Sequence, residues 1–365
     1  MGHGSAAAMV ELITLVPQSE NLVHKAIALS GSAIAPWAVS YDPIGAAITL
    51  NSVVGGGLQS IDNIASFLSY RTLNEINNVL NQFKYTNNTQ MFAPCIENAN
   101  LEGALLTDSP INLLRAVFDY KNIPYMAAYA TREGTKRAAE ALSDSWILKM
   151  QADFTEFLPV DLDFGNSQES RAESIRNFYF DSEPISMSSI ESYLNYHGDT
   201  IVVVPIIRGL HERIRTSTSN VWLVEFGYVG TNNSDWVHNH IPLNGARHGS
   251  MLNYIFDFDL NFYFDERVAD SIVKRISGFA RTGTPDDGVW TRPLPFTLQS
   301  SNYLSYTGSG TGGELTQQNH ANPKNATMLF WDELYDNYYN SPSAAVGLRG
   351  LLSVVLLSFI LLTIV

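Results

Sequence analysis

The chain predicts an α/β fold on three observations: a glycine-flanked turn feeding an alanine-rich helix, short apolar segments of strand character, and helical periodicity between them. The turn is Gly2-His3-Gly4-Ser5-Ala6. The helix it feeds runs from Ser5 to Leu15, with Val10, Leu12 and Ile13 giving it apolar faces. A Pro17 turn and an apolar strand, Ala26 to Leu29, follow and close on Ser30-Gly31. From Gly45 to Phe83 apolar residues recur at helical spacing in short helices interrupted by Gly55-Gly56-Gly57. Asp108 stands where it would cap a helix running through Leu113 and Val117, and Pro124 to Tyr129 reads as a strand. Residues 160 to 190 are polar and serine-rich, which predicts an excursion over the surface. Ile201 to Ile207 reads as helix packed on the sheet. A further helix begins near Asp265-Glu266-Arg267, with acids at its positive end, and Thr307 to Gly313 predicts a flexible loop. The pattern shows no internal repeat and no second domain.

In the pattern G-x-S-x-G a serine stands on a tight strand-to-helix turn, and glycines flank it because side chains there would collide with neighbouring backbone. Here Gly2 fills the first glycine, Gly4 the serine position and Ala6 the second glycine. Leu29-Ser30-Gly31 and Pro36-Trp37-Ala38 come next, then Pro94-Cys95-Ile96 and the loop Tyr129-Ala130-Thr131-Arg132-Glu133-Gly134-Thr135. Trp222-Leu223-Val224-Glu225-Phe226, Gly245-Ala246-Arg247-His248-Gly249, Phe279-Ala280-Arg281-Thr282-Gly283-Thr284-Pro285 and Phe330-Trp331-Asp332-Glu333-Leu334-Tyr335 complete the series. In this order they resemble the landmarks of the cholinesterase and type-B carboxylesterase superfamily, in particular its catalytically inactive neuroligin- and gliotactin-like members, and the resemblance implies a strand at Pro94-Cys95-Ile96. Neuroligins are similar in having a glycine at the nucleophile position.

The resemblance implies an α/β-hydrolase fold, incomplete at its N-terminus because the match starts at the nucleophile elbow. Residues 1–339 would be the C-terminal two thirds of the domain, and the expectation is a truncated gene model, with a short isoform as the alternative. Carried over by position, Glu133 is the acid of a Ser-His-Glu triad and His248 its base, while Gly4 is the nucleophile position with no oxygen to attack a carbonyl. Ser5 is the alternative nucleophile, at the cost of placing His3 and Ala7 where the elbow glycines belong. Two departures point away from catalysis. Gly249 leads to Ser250-Met251 rather than to an acidic residue, and the Gly-Gly run that forms the family's oxyanion hole is not in the sequence. The retained acid and imidazole also fit a hydrogen-bonded structural pair. The resemblance further implies disulfides, one of them in the region corresponding to residues 56 to 68. With one cysteine, Cys95, no internal bridge forms, and its apolar setting predicts a buried packing thiol.

Lys and Arg number 22 against 36 Asp and Glu, a formal charge of -14, which argues against nucleic-acid binding and permits capture of a basic partner surface. Three sequons without proline, starting at Asn87, Asn232 and Asn325, point to export and glycosylation. Leu351 to Val365 is a run of 15 residues without charge, preceded by Asn340-Ser341-Pro342-Ser343-Ala344-Ala345 and a spacer up to residue 350. That combination predicts a GPI-attachment signal with Ser343 or Asn340 as acceptor, the alternative being a terminal single-pass helix. His238-Asn239-His240 has metal-like spacing but no third ligand, so no metal and no cofactor is expected. Gly308 to Gly313 lacks the Lys-Ser/Thr of a phosphate-binding loop. Tyr335, Tyr338 and Tyr339 read as packing residues of the last helix, and the resemblance implies a possible homodimer contact around Phe330 to Tyr339.

Two functions follow as expectations. One is a non-catalytic cell-surface protein of adhesion or receptor type that binds an extracellular protein. The other is a serine carboxylesterase acting through Ser5, His248 and Glu133.

Overall fold

The computed structural model describes residues 1–57, 60–80, 82–143, 145–230, 241, 243–256, 263–289, 291–308 and 315–342. In chain order it gives β1 (Gly2–His3), α1 (Ser5–Ile13), β2 (Ala26–Leu29), α2 (Pro43–Val53), α3 (Ile61–Ser69), α4 (Leu73–Leu80) and α5 (Pro110–Arg115). Next come β3 (Tyr125–Ala130), α6 (Ala138–Ser143), α7 (Trp146–Ala152), α8 (Gln168–Phe180), α9 (Ile190–Gly198), α10 (Val204–Thr216) and β4 (Val221–Phe226). The chain continues through α11 (Tyr263–Thr282), β5 (Asn302–Thr307), β6 (Thr316–Ala321) and α12 (Asn325–Tyr338). The six strands form one sheet in sequence order, parallel from β1 to β5, with β6 antiparallel on the edge.

β2 and β3 are unbroken apolar runs, and β4 is interrupted only by Glu225, because helices cover both faces of the sheet. Side chains alternate between two separate cores, as a period of two requires. Ala26, Ala28, Tyr125, Ala127, Tyr129, Val221 and Leu223 enter one core with Ile206, Ile207 and Leu210 of α10 and Trp331 of α12. Ile27, Leu29, Met126, Ala128, Trp222 and Val224 enter the other with Val268, Ile272 and Phe279 of α11. A π-helical turn, Asp199–Val203, joins α9 to α10, and the Trp37 indole N–H donates to its Ile201 carbonyl at 2.8 Å.

The elbow helix is locked to this body by a buried ion pair. Arg213 of α10 and Glu11 of α1 have side chains 0% and 2% exposed, with 3.4 Å between them. The second Glu11 oxygen accepts from Ser32 Oγ at 2.7 Å and from the Ala33 N–H at 2.8 Å, so the loop after β2 is fastened as well. Arg213 also donates to Thr14 Oγ1 at 2.8 Å and lies 4.2 Å above the Tyr125 ring, which covers its planar face.

Several sequence expectations are corrected. Residues 160 to 190 are not a surface excursion, because α8 lies within them and sends Ala172, Ile175 and Phe180 into the core. Ser109, not Asp108, caps α5 by accepting from the Asn112 N–H, and the helix ends at Arg115, leaving Val117 75% exposed. Asp108 instead accepts from the Ser109 N–H and the Asn112 side chain. Pro94-Cys95-Ile96 lies outside any strand, and Cys95 is half-buried rather than buried. Tyr335 does pack: it is buried in the core and donates to Asp161 Oδ2 at 2.9 Å, while Tyr338 and Tyr339 pack partly buried beside it.

Removing one member of a buried pair leaves the other charge uncompensated, which costs about 3–5 kcal/mol. Glu11→Ala strands Arg213 and deprives Ser32 and Ala33 of their acceptor. Chemical denaturation is expected to show a loss of stability of about that size, against less than about 1 kcal/mol for removal of the exposed pair Lys274–Asp270.

Candidate active site

β1 is two residues long, pairs with β2 through Gly2↔Ala28 and His3↔Leu29, and turns into α1 at Gly4. Gly4 has φ 60° and ψ -122°, a backbone conformation that residues with side chains rarely adopt, and its N–H donates to Leu29 O at 2.9 Å. Its carbonyl accepts from Ala7 and Ala8 N–H at 3.0 and 3.2 Å and so opens the helix. The turn is tight on its inner side. A Cβ on Gly2 would overlap the Ala6 carbonyl, and one on Gly31 would overlap the Gly4 carbonyl. It is open on its outer side, since a Cβ on Gly4 would meet nothing within 4 Å. The apex of the turn is therefore Gly4, while Ser5 is the first residue of α1, exposed, and makes no hydrogen bond with His248 among the described residues.

Glu133 and His248 come together although 115 positions separate them, with Nδ1 of the imidazole 2.5 Å from Oε2 of the carboxylate. Their loops are stitched by backbone: the Arg132 N–H donates to Ala246 O at 2.8 Å, and the His248 N–H donates to Thr135 Oγ1 at 3.0 Å. The other carboxylate oxygen accepts from Ser30 Oγ at 2.6 Å and from the Ala130 N–H at 2.7 Å. The Glu133 side chain is 0% exposed and that of His248 16%, so the acid is sealed and the base retains an open edge. Burial pushes the Glu133 carboxyl up, but His248 and the hydrogen bonds from Ser30 and Ala130 outweigh it and hold the group below the usual carboxylate range.

Sequence reasoning missed two members of this arrangement. Ser30, with a left-handed φ of 54°, ends β2 and orients Glu133; in the sequence it stood only as a landmark before Gly31. His3, in the variable position of the elbow, lays its ring 4.8 Å from that of His248 at an interplanar angle of 48°. Its Nε2 is buried without a hydrogen-bond partner among the described residues. Burial first, then the neighbouring His248, push the His3 imidazole down to about 4. No signal short of the fold points to either contact.

The remaining predicted sites are scattered. Ser250, in the segment Gly249-Ser250-Met251 that lacks an acid, donates to Arg247 O at 2.8 Å and closes the histidine turn. Asn87 is half-buried and accepts from Thr89 Oγ1 at 2.7 Å, Asn325 is exposed as the first residue of α12, and the Asn340 N–H donates to Asp161 O at 2.8 Å. Asn232, His238, His240, Ser343 and the run from Leu351 to Val365 lie outside the described residues. Among the described residues no three His, Cys, Asp or Glu side chains converge as metal ligands, and no helix is long and apolar enough to cross a membrane.

The strand-to-helix turn at Gly4 thus stands next to the Glu133–His248 pair, with the His3 ring between them. The sequence pattern of the Carboxylesterase family matches residues 1–331. The chain belongs to the carboxylesterase family. This carboxylesterase-family chain is 25% identical over 355 residues to bile salt-activated lipase of Mus musculus, an overlap of 90% of this chain and 55% of that protein. It is 24% identical over 237 residues to venom carboxylesterase-6 of Apis mellifera, covering 62% of this chain and 42% of the relative. Among solved structures, juvenile hormone esterase from Manduca sexta, with OTFP covalently attached, superposes with a TM-score of 0.76 at 17% identity, over 92% of this chain and 64% of that one. The fold is thus that of the α/β-hydrolases, and the chain spans about half the length of the curated relatives it matches.

A base whose pKa is lowered by folding costs stability as pH falls, because the unfolded chain binds the proton that the folded one refuses. For His3 the window runs from about 6.5, the usual histidine value, down to about 4. His3→Phe is expected to flatten the decline in thermal stability across that window, read as melting temperature against pH.

Proposed function

We propose that this carboxylesterase-family protein forms no acyl-serine and works by recognition, its hydrolase body offering a binding surface to an extracellular protein partner at a cell membrane. The observation that carries the reading is Gly4. The residue at the apex of the elbow has the backbone conformation of a presented nucleophile and no atom to present. Loss of the nucleophile removes the covalent route and with it most of the rate enhancement. The formal charge of -14 favours a partner surface that is basic. The sequons at Asn87, Asn232 and Asn325 and the uncharged C-terminal run support placement outside the cell, tethered through a GPI anchor at Ser343 or Asn340.

A second reading has its own support. The Glu133–His248 pair keeps the distance a working base needs, and the relatives described above carry the names of an esterase and a lipase. In that reading Ser5 supplies the hydroxyl of a carboxylic ester hydrolase.

An organophosphate probe separates the two. The full-length protein is expected to stay unlabelled, and Gly4→Ser to become labelled, because the new hydroxyl stands in open space at the apex. Labelling of the unaltered protein that disappears in Ser5→Ala would establish the esterase instead. His248→Ala is expected to leave binding to partner-bearing cells unchanged, and a screen of cell-surface proteins that yields no partner at all would sink the recognition role.

A further inference from the structure

The open side of the elbow and the half-open face of His248 belong to one small region, joined by His3. That ring sits on β1 immediately before the apex and lies 4.8 Å from the His248 ring. We propose that a water molecule occupies the place beside Gly4 where a serine hydroxyl would stand, and that His248 activates it for direct hydrolysis of activated carboxylic esters without a covalent intermediate. The inference rests on the reading that Gly4 holds the nucleophile position.

Three features support it. An added Cβ on Gly4 would meet nothing within 4 Å, so there is room at the apex for an oxygen. Glu133 as a carboxylate accepts hydrogen bonds only, so Nδ1 of His248, 2.5 Å away, is the donor and the Nε2 lone pair is left to take a proton. The His3 ring, one residue before Gly4, lies 4.8 Å from the His248 ring, which brings the base to the side of the apex.

In the reaction, the water oxygen forms a bond to the ester carbonyl carbon as its proton passes to His248 Nε2, and the C=O pair moves onto the carbonyl oxygen. Return of that pair re-forms the carbonyl and breaks the bond to the alkoxy oxygen, which leaves with the proton from His248 Nε2. One water and one ester become one carboxylic acid and one alcohol, and the imidazole is restored. Glu133 acts through His248, as a positioning residue that fixes its tautomer and stabilises the imidazolium. General-base assistance of this kind is worth about 10²–10⁴-fold.

The test is hydrolysis of p-nitrophenyl acetate by the full chain. The expected result is turnover above buffer with no initial burst, unchanged by prior treatment with an organophosphate, and lowered at least about tenfold in His248→Gln. Gly4→Ala puts a methyl in the water's place while leaving the acid and base untouched, and is expected to lower the rate similarly. Glu133→Gln is expected to change the pH profile of the rate and not merely its height, which a structural role would not do. If the unaltered protein and His248→Gln turn over equally, the inference falls. Organophosphate labelling of Gly4→Ser in that case shows the placement of Gly4 still standing, whereas failure of that variant to label removes the placement as well. A burst, or inhibition of the unaltered protein by the organophosphate, overturns both.

Discussion

One buried carboxylate gathers the functional end of this sheet. Glu133 takes hydrogen bonds from the end of β2 through Ser30, from the end of β3 through the Ala130 N–H, and from the histidine loop through His248. A sealed anion is expensive unless each of its lone-pair regions is used, so its partners are held as firmly as the acid needs them. The positions of Ser30 and His248 are in this sense consequences of burying Glu133. The same bonds that would orient a catalytic imidazole also stabilise the crossover between strands, and structure and chemistry share a single set of atoms.

That sharing sets Glu133 and His248 apart from Gly4, whose outer side no contact fills. Ser30, Glu133 and His248 are tied to one another by hydrogen bonds at the buried end of the sheet. Gly4 is tied inward by its backbone, through Leu29, Ala7 and Ala8, and touches nothing outward. Nothing in the packing fills the space on its outer side.

Much of the architecture was legible in the sequence where burial is complete. β2 and β3 are continuous apolar runs and β4 is broken only by Glu225, as suits parallel strands covered on both faces. Helix α8 was not legible, because Ala172, Ile175 and Phe180 are embedded among Ser, Glu, Arg and Asn, and its inward stripe is narrow. At the site, Glu133 and His248 could be placed by their landmarks, and the structure brings them into contact. The Ser30–Glu133 bond spans 103 positions, and the contact of His3 with His248 depends on the end of β1 meeting the histidine loop, so neither leaves a local pattern to read. Pro94-Cys95-Ile96 misled for the opposite reason: a short apolar triplet fits an extended loop as well as a strand.

The elbow is intolerant toward the core and permissive toward solvent. Gly2 and Gly31 cannot gain a methyl without striking a carbonyl, whereas Gly4 faces open space. A side chain at Gly4 would therefore be opposed by its left-handed backbone and not by its neighbours.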